Sequence, residues 1–192
     1  MNRIVACAAS VGLLACAHLT RAQNDRLTPP PRTNAAIVLS VLDMQAPRVL
    51  AVAEAMPEDR YAFVPSNGTF TSVRSFSSQL KHIAADLYLD GGAILGDRLR
   101  GNVVGEDGDS TVKSKAEIIA YLRGAFAYMR RAAATIDDAN TLVDRPSWLP
   151  YGPPAQARLR LAITDLAHTD DHYGQLVEYL RMNHIVPPGS KP

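Results

Sequence analysis

The segment HTDDHYGQL, residues 168–176, places two histidines four positions apart near the C-terminus. On an α-helix, side chains at this spacing lie one above the other, so both imidazoles can reach a single point beside the helix. Histidine pairs on helices also occur as solvated or capping features. Zinc and similar ions need at least three protein ligands, so a metal site requires a third donor besides His168 and His172.

The N-terminal residues decide which donors a mature chain retains. Residues 1–22 resemble an export signal, with a short positive region, an apolar run at 4–17 and a cleavage position after Ala22. The run is short for a membrane span. Residues 13–16 also match a bacterial lipobox, in which Cys16 becomes the lipidated first residue. We expect an exported protein, periplasmic or secreted, with an envelope lipoprotein and a retained anchor as alternatives.

Cysteine chemistry is lost with this leader. Both cysteines, Cys7 and Cys16, precede the cleavage position, so cleavage after Ala22 leaves no thiol. Disulfides, cysteine nucleophiles and thiolate ligands are then excluded together. His18 is removed as well, and four histidines are left as donors: His82, His168, His172 and His184.

Composition and charge indicate one globular domain and argue against a nucleic-acid-binding protein. The 192 residues are 47% hydrophobic and 20% charged, which is typical of one globular domain. The formal net charge is +1, and removing the leader takes away two arginines, so the mature chain is close to neutral. No run of lysines and arginines is present. We therefore expect no nucleic-acid partner.

Hydrophobic periodicity and helix-end signals predict four helices, at about 34–56, 73–90, 115–137 and 154–183. Pro47 is expected to kink the first helix or to start a new segment at Ala46, because proline removes a backbone hydrogen bond. Gly91 and Gly92 are expected to end the second helix. Ser114 and Glu117 have the spacing of a capping box before the third.

The remaining segments complete the domain organisation. Pro154 is expected at the first position of the fourth helix, and no strand-like alternation of useful length is present. Residues 23–33 are a proline-rich tether, and residues 189–192 form a tail. The sequence thus predicts an all-α, four-helix bundle at 34–188.

The second helix offers the third donor. Its apolar face is defined by recurring large residues: Phe76, Leu80, Ile83 and Leu87. His82 lies at the border of this face, where an imidazole can point into a bundle. Asp86, four residues later, is placed to orient His82 through its second nitrogen. The competing interpretation is an exposed histidine with a charged neighbour.

The fourth helix has apolar residues around much of its girth. Its main apolar side is expected to contain Leu159, Ile163, Leu166, Tyr173, Val177 and Leu180. The two histidines lie away from that side, in line with Leu161, Asp165, Leu176 and Tyr179. Asp165, three residues before His168, is a second candidate for orienting an imidazole. The site is expected where the second and fourth helices face each other, as in other bundles with metal sites.

Several segments of the chain are similar to one known family. They are residues 55–61, 76–84, 114–122, 168–175, 179–183 and 185–188. Together they resemble the DinB/YfiT-like family of metalloenzymes over about 34–188. The resemblance implies a four-helix bundle whose ion is held by a histidine of the second helix and an H-x3-H pair of the fourth, here His82, His168 and His172. His184 stands where a glycine commonly closes the fourth helix, and we interpret it as a surface residue.

A three-histidine ion with open coordination positions is typical of catalytic sites. We therefore expect a metal-dependent hydrolase or thiol S-transferase that acts on a small molecule and has no membrane span in its mature form. Zinc and nickel are the foremost candidates for the ion, followed by iron and manganese. A homodimer is compatible with this interpretation, and no acid or base besides the ligands is assigned.

A non-catalytic metal-binding or interaction module of the cell envelope is the alternative. An enzyme requires an open metal position with some polar lining, whereas a binding module requires a filled shell or a site sealed by apolar residues. A thiol transferase also requires a thiol that is present outside the cytoplasm. A third interpretation, a structural bundle with leftover histidines, predicts no effect of His168→Ala on metal content.

Overall fold

Four α-helices make up most of the chain that the computed structural model describes, which is residues 32–97, 106–146 and 154–190. The helices are α1 (Asn34–Ala55), α2 (Phe76–Leu95), α3 (Lys115–Ala133) and α4 (Arg158–Met182). The other regular elements in these ranges are two 3-10 turns, Glu58–Arg60 and Pro188–Ser190, and two short strands. The predicted predominantly helical bundle is confirmed.

Each helix packs mainly against two others. α2 contacts α3 and α4, and α1 also contacts α3 and α4. The order around the bundle is therefore α1, α3, α2, α4, with α1 diagonally opposite α2. This arrangement makes α2 and α4 neighbours, as the predicted site requires.

Some predicted segments lie outside the described residues. They include the export signal at 1–22 and the lipobox at Cys16. Of the tether at 23–33, only the last two residues are described, and the tail at 189–192 is described through Ser190.

α1 runs without a break through Pro47, so the prediction that a new segment starts at Ala46 is wrong. The helix begins after Thr33, whose side chain accepts a hydrogen bond from the Ala36 amide at 3.1 Å. Proline removes the hydrogen bond that the Asp43 carbonyl would accept. Asp43 and Pro47 are both exposed, so water can solvate that carbonyl.

By length and composition alone, α1 could cross a membrane, with 22 residues and a mean hydropathy of 1.5. In the bundle, one face of α1 is buried in the core through Val38, Leu42, Val49 and Val52. On its exposed face, Asp43 forms an ion pair with Arg130 of α3. Packing in the bundle accounts for this buried face, whereas Ile37 and Met44 of the same helix are 49% and 52% exposed.

α2 has the predicted buried face, but different ends. Phe76, Leu80, Ile83 and Leu87 are at most 1% exposed. The helix begins after Ser75, which accepts a hydrogen bond from the Ser78 amide, and it continues to Leu95. It ends at Gly96, which has a φ of 77°. The predicted end at residues 91–92 is therefore wrong.

Close packing explains the glycine at position 91. A Cβ atom there would lie 2.9 Å from Cδ1 of Tyr128 and 3.5 Å from the Cα of Met129, both on α3. Gly91 therefore allows α2 to approach α3. Glycine in this helix is a packing feature and not a termination signal.

Gly91→Ala should lower the free energy of unfolding by about 1–2 kcal/mol, because the steric overlap with Tyr128 exceeds the gain in helix propensity. The matched control is Gly174→Ala on α4, where an added Cβ meets no atom within 4 Å. That variant should be stabilised by about 0.5–1 kcal/mol. Urea unfolding of both variants tests this, and equal effects would contradict the packing explanation.

α3 begins with the predicted capping box. The Ser114 side chain accepts a hydrogen bond from the Glu117 amide, and the Glu117 carboxylate accepts one from the Ser114 amide. The helix ends at Ala133, four residues before the predicted end. A 3-10-like turn with hydrogen bonds from Thr135 and Ile136 follows it.

A small antiparallel ribbon precedes α4. Strand β1 (Asp144–Pro146) pairs with β2 (Ala155–Ala157), with Asp144 opposite Ala157. The predicted helix start near Pro154 is therefore wrong, and α4 begins at Arg158. Three-residue strands are too short for a recognisable alternation of polar and apolar residues.

α4 buries the face that carries the histidines. Ile163 of the predicted apolar side is 54% exposed, whereas Leu161, Leu176 and Tyr179 are buried. The other five residues of the predicted side are buried or partly buried against the core, so the prediction is wrong at Ile163 only. α4 therefore buries two sides, as expected for a helix with apolar residues around much of its girth. His184 follows the helix with a φ of 59° and is exposed, which agrees with its predicted place at a glycine-like closing position.

Candidate metal centre

Three imidazoles meet between α2 and α4. His82 comes from α2, and His168 and His172 come from α4, one helical turn apart. One ring nitrogen from each lies within 4.8 Å of the other two. Nε2 of His168 is 3.0 Å from Nε2 of His82 and 2.6 Å from Nε2 of His172. The structure thus brings together the three histidines that the sequence singled out.

The cluster is closed on most sides and open at one residue. His82 and His172 are 2% and 6% exposed. The His168 side chain is 29% exposed. Access from solvent is therefore over His168.

The loop after α2 sets the orientation of His82. Its Nδ1 lies 2.5 Å from the backbone carbonyl oxygen of Glu106. Because a carbonyl can only accept, Nδ1 carries the proton and donates this hydrogen bond. In the neutral ring, the lone pair of Nε2 then points to the other two imidazoles.

The two histidines of α4 are neutral near physiological pH. Burial lowers the pKa of His172 to about 3, with further lowering by His168 and His82. Burial also lowers the pKa of His168, again with help from His82. The neutral ring is the form of histidine that binds metals.

These residues fit a divalent ion. Three Nε2 atoms at 2.6 and 3.0 Å spacing bring lone pairs close together when the rings are unprotonated, and a cation between them would relieve that repulsion. Imidazole nitrogens are suitable ligands for zinc, nickel, iron and copper. The cluster can hold a metal, whereas the identity of the metal stays a prediction.

Asp86 lies beside two of the three imidazoles. Its Oδ2 lies 3.4 Å from Nε2 of His82 and 3.2 Å from Nε2 of His168. The other ring nitrogen of His82, Nδ1, faces the Glu106 carbonyl. That Asp86 orients an imidazole stays a prediction.

Asp165 makes no hydrogen bond to an imidazole among the described residues. It is 1% exposed, and neither carboxyl oxygen accepts a hydrogen bond from any described residue. It therefore does not orient an imidazole through a hydrogen bond. The prediction rested on helical spacing, which does not determine where a short side chain points.

A group of buried carboxyls extends from the histidines along the two helices. Asp90, one turn after Asp86, is 1% exposed. Burial and Asp86 raise the pKa of Asp90 to about 8. Burial, together with Asp90 and Asp86, raises the pKa of Asp165 well above its usual value. Burial raises the pKa of Asp86 to about 6, against the opposing effect of His82.

Two contributors to this region were not predicted. The Glu106 carbonyl belongs to the main chain of an irregular loop, so no residue type signals it. Asp90 does have a signal, because His82, Asp86 and Asp90 follow one another at intervals of four on α2. Such a series lies on one face of a helix.

The loop that orients His82 is fastened to α2 and to the segment before it. Arg74 forms ion pairs with Glu106 at 3.1 Å and Asp107 at 3.3 Å. Gly108 has a φ of 73°, and a Cβ atom there would lie 2.7 Å from the carbonyl oxygen of Lys81. The loop can lie this close to α2 because position 108 has no side chain.

Gly108→Ala should weaken zinc binding by roughly 10–100-fold, because the displaced loop would no longer hold the His82 ring. The measurement is competition with a chromogenic chelator. Gly96→Ala is the control, because Gly96 also has a positive φ, 77°, but lies at the far end of α2. It should leave zinc affinity unchanged, and a similar loss in both variants would contradict the role of the loop.

Comparison with protein families gives one match. The family model of the DinB superfamily matches residues 41–176, which include His82, His168 and His172. No curated protein matches the chain.

Proposed function

The chain belongs to the DinB superfamily, and from this membership, the leader at 1–22 and the histidine cluster we propose that it is an exported, metal-dependent hydrolase or thiol S-transferase. In this proposal, His82, His168 and His172 hold one divalent ion. Zinc and nickel are the foremost candidates, followed by iron and manganese, because all four occur with imidazole or mixed imidazole and carboxylate ligands. The substrate is a small molecule.

The convergence of three imidazoles supports this proposal most strongly. Their Nε2 atoms are close enough for one ion, and the Glu106 carbonyl holds the first ring in the required tautomer. When bound, a divalent ion lowers the pKa of a nearby water or thiol and polarises carbonyl groups.

Access over His168 supports an enzyme. Asp171 and Gln175 are exposed and lie on the same face of α4 as His168. Gln175 donates a hydrogen bond to Asp171 at 2.9 Å and accepts one from Gln79 of α2. The open side therefore has polar groups that could contact a substrate.

Export is part of the same proposal. The leader at 1–22 supports export. Cleavage after Ala22 and lipidation at Cys16 give different mature proteins. Mass spectrometry of the protein from fractionated cells should find a chain starting at Gln23. A diacylated chain starting at Cys16 would indicate the envelope lipoprotein instead, and an intact N-terminus in the cytoplasmic fraction would contradict export.

A non-catalytic metal-binding module of the cell envelope is the second candidate. Asp86 favours it, because its carboxylate already lies beside two of the three Nε2 atoms. A carboxylate in that place would fill the fourth position of a tetrahedral ion and leave none for a substrate.

The deciding experiment compares metal content and activity. Full-length protein without a His-tag is reconstituted separately with zinc, nickel, iron or manganese and assayed on esters, amides and pairs of thiols with electrophiles. We expect about one ion per chain and an activity that is lost in His172→Ala and kept in His184→Ala. One bound ion without activity would favour the binding module, and no ion after reconstitution would overturn both candidates.

A further inference from the structure

A fourth donor atom lies within the three-histidine cluster, and we propose that Asp86 is a direct ligand of the ion. The donor set would then be three imidazoles and one carboxylate. This inference rests on the proposed function, since it assumes that His82, His168 and His172 hold an ion.

The distances at Asp86 are those between ligands of one ion. Donors at 2.0–2.1 Å from a metal lie about 3.3–3.4 Å apart in a tetrahedron and about 2.9 Å apart at neighbouring corners of an octahedron. The Oδ2 atom of Asp86 is 3.4 Å from Nε2 of His82 and 3.2 Å from Nε2 of His168. These values are comparable to the 3.0 Å between the two nitrogens themselves.

No other partner accounts for this carboxylate. Asp86 is 3% exposed, and neither of its oxygens accepts a hydrogen bond from any described residue. A carboxylate that orients a metal-binding histidine accepts a hydrogen bond from the nitrogen that does not bind the metal. On His82, that nitrogen donates its hydrogen bond to the Glu106 carbonyl instead. A buried carboxylate without such a bond is stabilised by coordinating a cation.

The backbone places the four donors in two matching pairs. α2 supplies His82 and Asp86, and α4 supplies His168 and His172, each pair separated by four residues. Side chains four apart on a helix share a face, so each helix presents two donors to the other. Metal sites in helix bundles are built from inward side chains on facing helices in this way.

Coordination by Asp86 restricts which ions leave room for a substrate. Four protein ligands complete a tetrahedral zinc shell. An ion that accepts five or six ligands keeps open positions, and iron, manganese and nickel are compatible with imidazole and carboxylate donors together. A catalytic form of this site therefore requires one of these ions or an expanded zinc shell.

The test measures zinc affinity and ligand geometry in the full-length protein. Dissociation constants are obtained by chelator competition for wild type, Asp86→Ala, Asp86→Asn and Asp165→Asn, with circular dichroism as a check on folding. Both Asp86 variants should bind zinc more than about 100-fold more weakly than wild type. This loss exceeds the roughly 10–100-fold loss of affinity that is typical of removing an orienting partner. Asp165→Asn is the matched control, a buried aspartate of the same helix pair, and should stay within about 3-fold of wild type.

A crystal structure of the zinc-loaded wild type, with anomalous scattering at the zinc edge, provides a readout that needs no variant. An oxygen of Asp86 about 2.0–2.2 Å from the ion would support the proposal. An ion bound by the three histidines with both oxygens beyond about 3 Å would overturn it and leave the proposed function standing. A folded wild type that binds no ion would overturn the proposed function, and this inference with it.

Discussion

Replacing His168 with alanine should abolish the stabilisation that zinc gives to the folded protein. Its Nε2 is the atom that lies within 3.0 Å of both other imidazoles, so the variant keeps only two histidine donors. A ligand at 100 times its dissociation constant stabilises a protein by about 2.7 kcal/mol. For a chain of this size, that corresponds to a rise in Tm of roughly 5–11 °C.

Thermal unfolding with and without zinc measures this effect. His168 suits the test because its side chain is partly exposed, so its removal leaves a smaller core defect than removal of His82 would. His184→Ala is the matched control, since His184 is exposed and lies after α4. It should show the full zinc-dependent shift. A shift of equal size in His168→Ala would mean that zinc binds elsewhere.

Asp90→Asn should stabilise the metal-free protein at pH 8 and have little effect at pH 4. The pKa of Asp90 is raised to about 8 by burial and by Asp86, whereas an unfolded chain has an aspartate pKa of about 3.9. Between these values, the folded state binds more protons than the unfolded state. The free energy of unfolding therefore falls as pH rises through this window.

The expected gain in the free energy of unfolding for Asp90→Asn is of the order of 5 kcal/mol at pH 8 and under about 1 kcal/mol at pH 4, since asparagine resembles the protonated acid. Urea unfolding at pH 4, 6 and 8 with a chelator present measures it. The control is Asp170→Asn, at an exposed position of α4. Its effect should be small and independent of pH. A wild type as stable at pH 8 as at pH 4 would contradict the proposed protonation of Asp90.

Hydrophobic periodicity and helix-cap residues predicted those features of the helices that depend on residues close together in sequence. The stripe from Phe76 to Leu87 indicated the buried face of α2, and the Ser114 capping box indicated the start of α3. The role of Gly91 could not be predicted from local signals. A glycine is needed there because a tyrosine ring of the neighbouring helix packs against this position in the folded chain.

The three histidines were accessible to sequence reasoning, but the surroundings of the site were not. Helical spacing and family resemblance identified the residues, since both depend on residue type. The hydrogen bond from His82 depends on the path of a loop 24 residues away. The exposure of Ile163 on α4 could not be predicted either, because it depends on how the neighbouring helices cover that part of the surface.

The hydrogen bond between His82 and position 106 uses a main-chain oxygen, so every amino acid can provide it. Mutation of the Glu106 side chain can change the attachment of the loop to Arg74 without removing the acceptor. The requirement at this point is therefore on the shape of the backbone and not on the identity of the residue. Substitutions at position 106 are expected to be tolerated by the histidine cluster, whereas insertions or deletions in the loop are not.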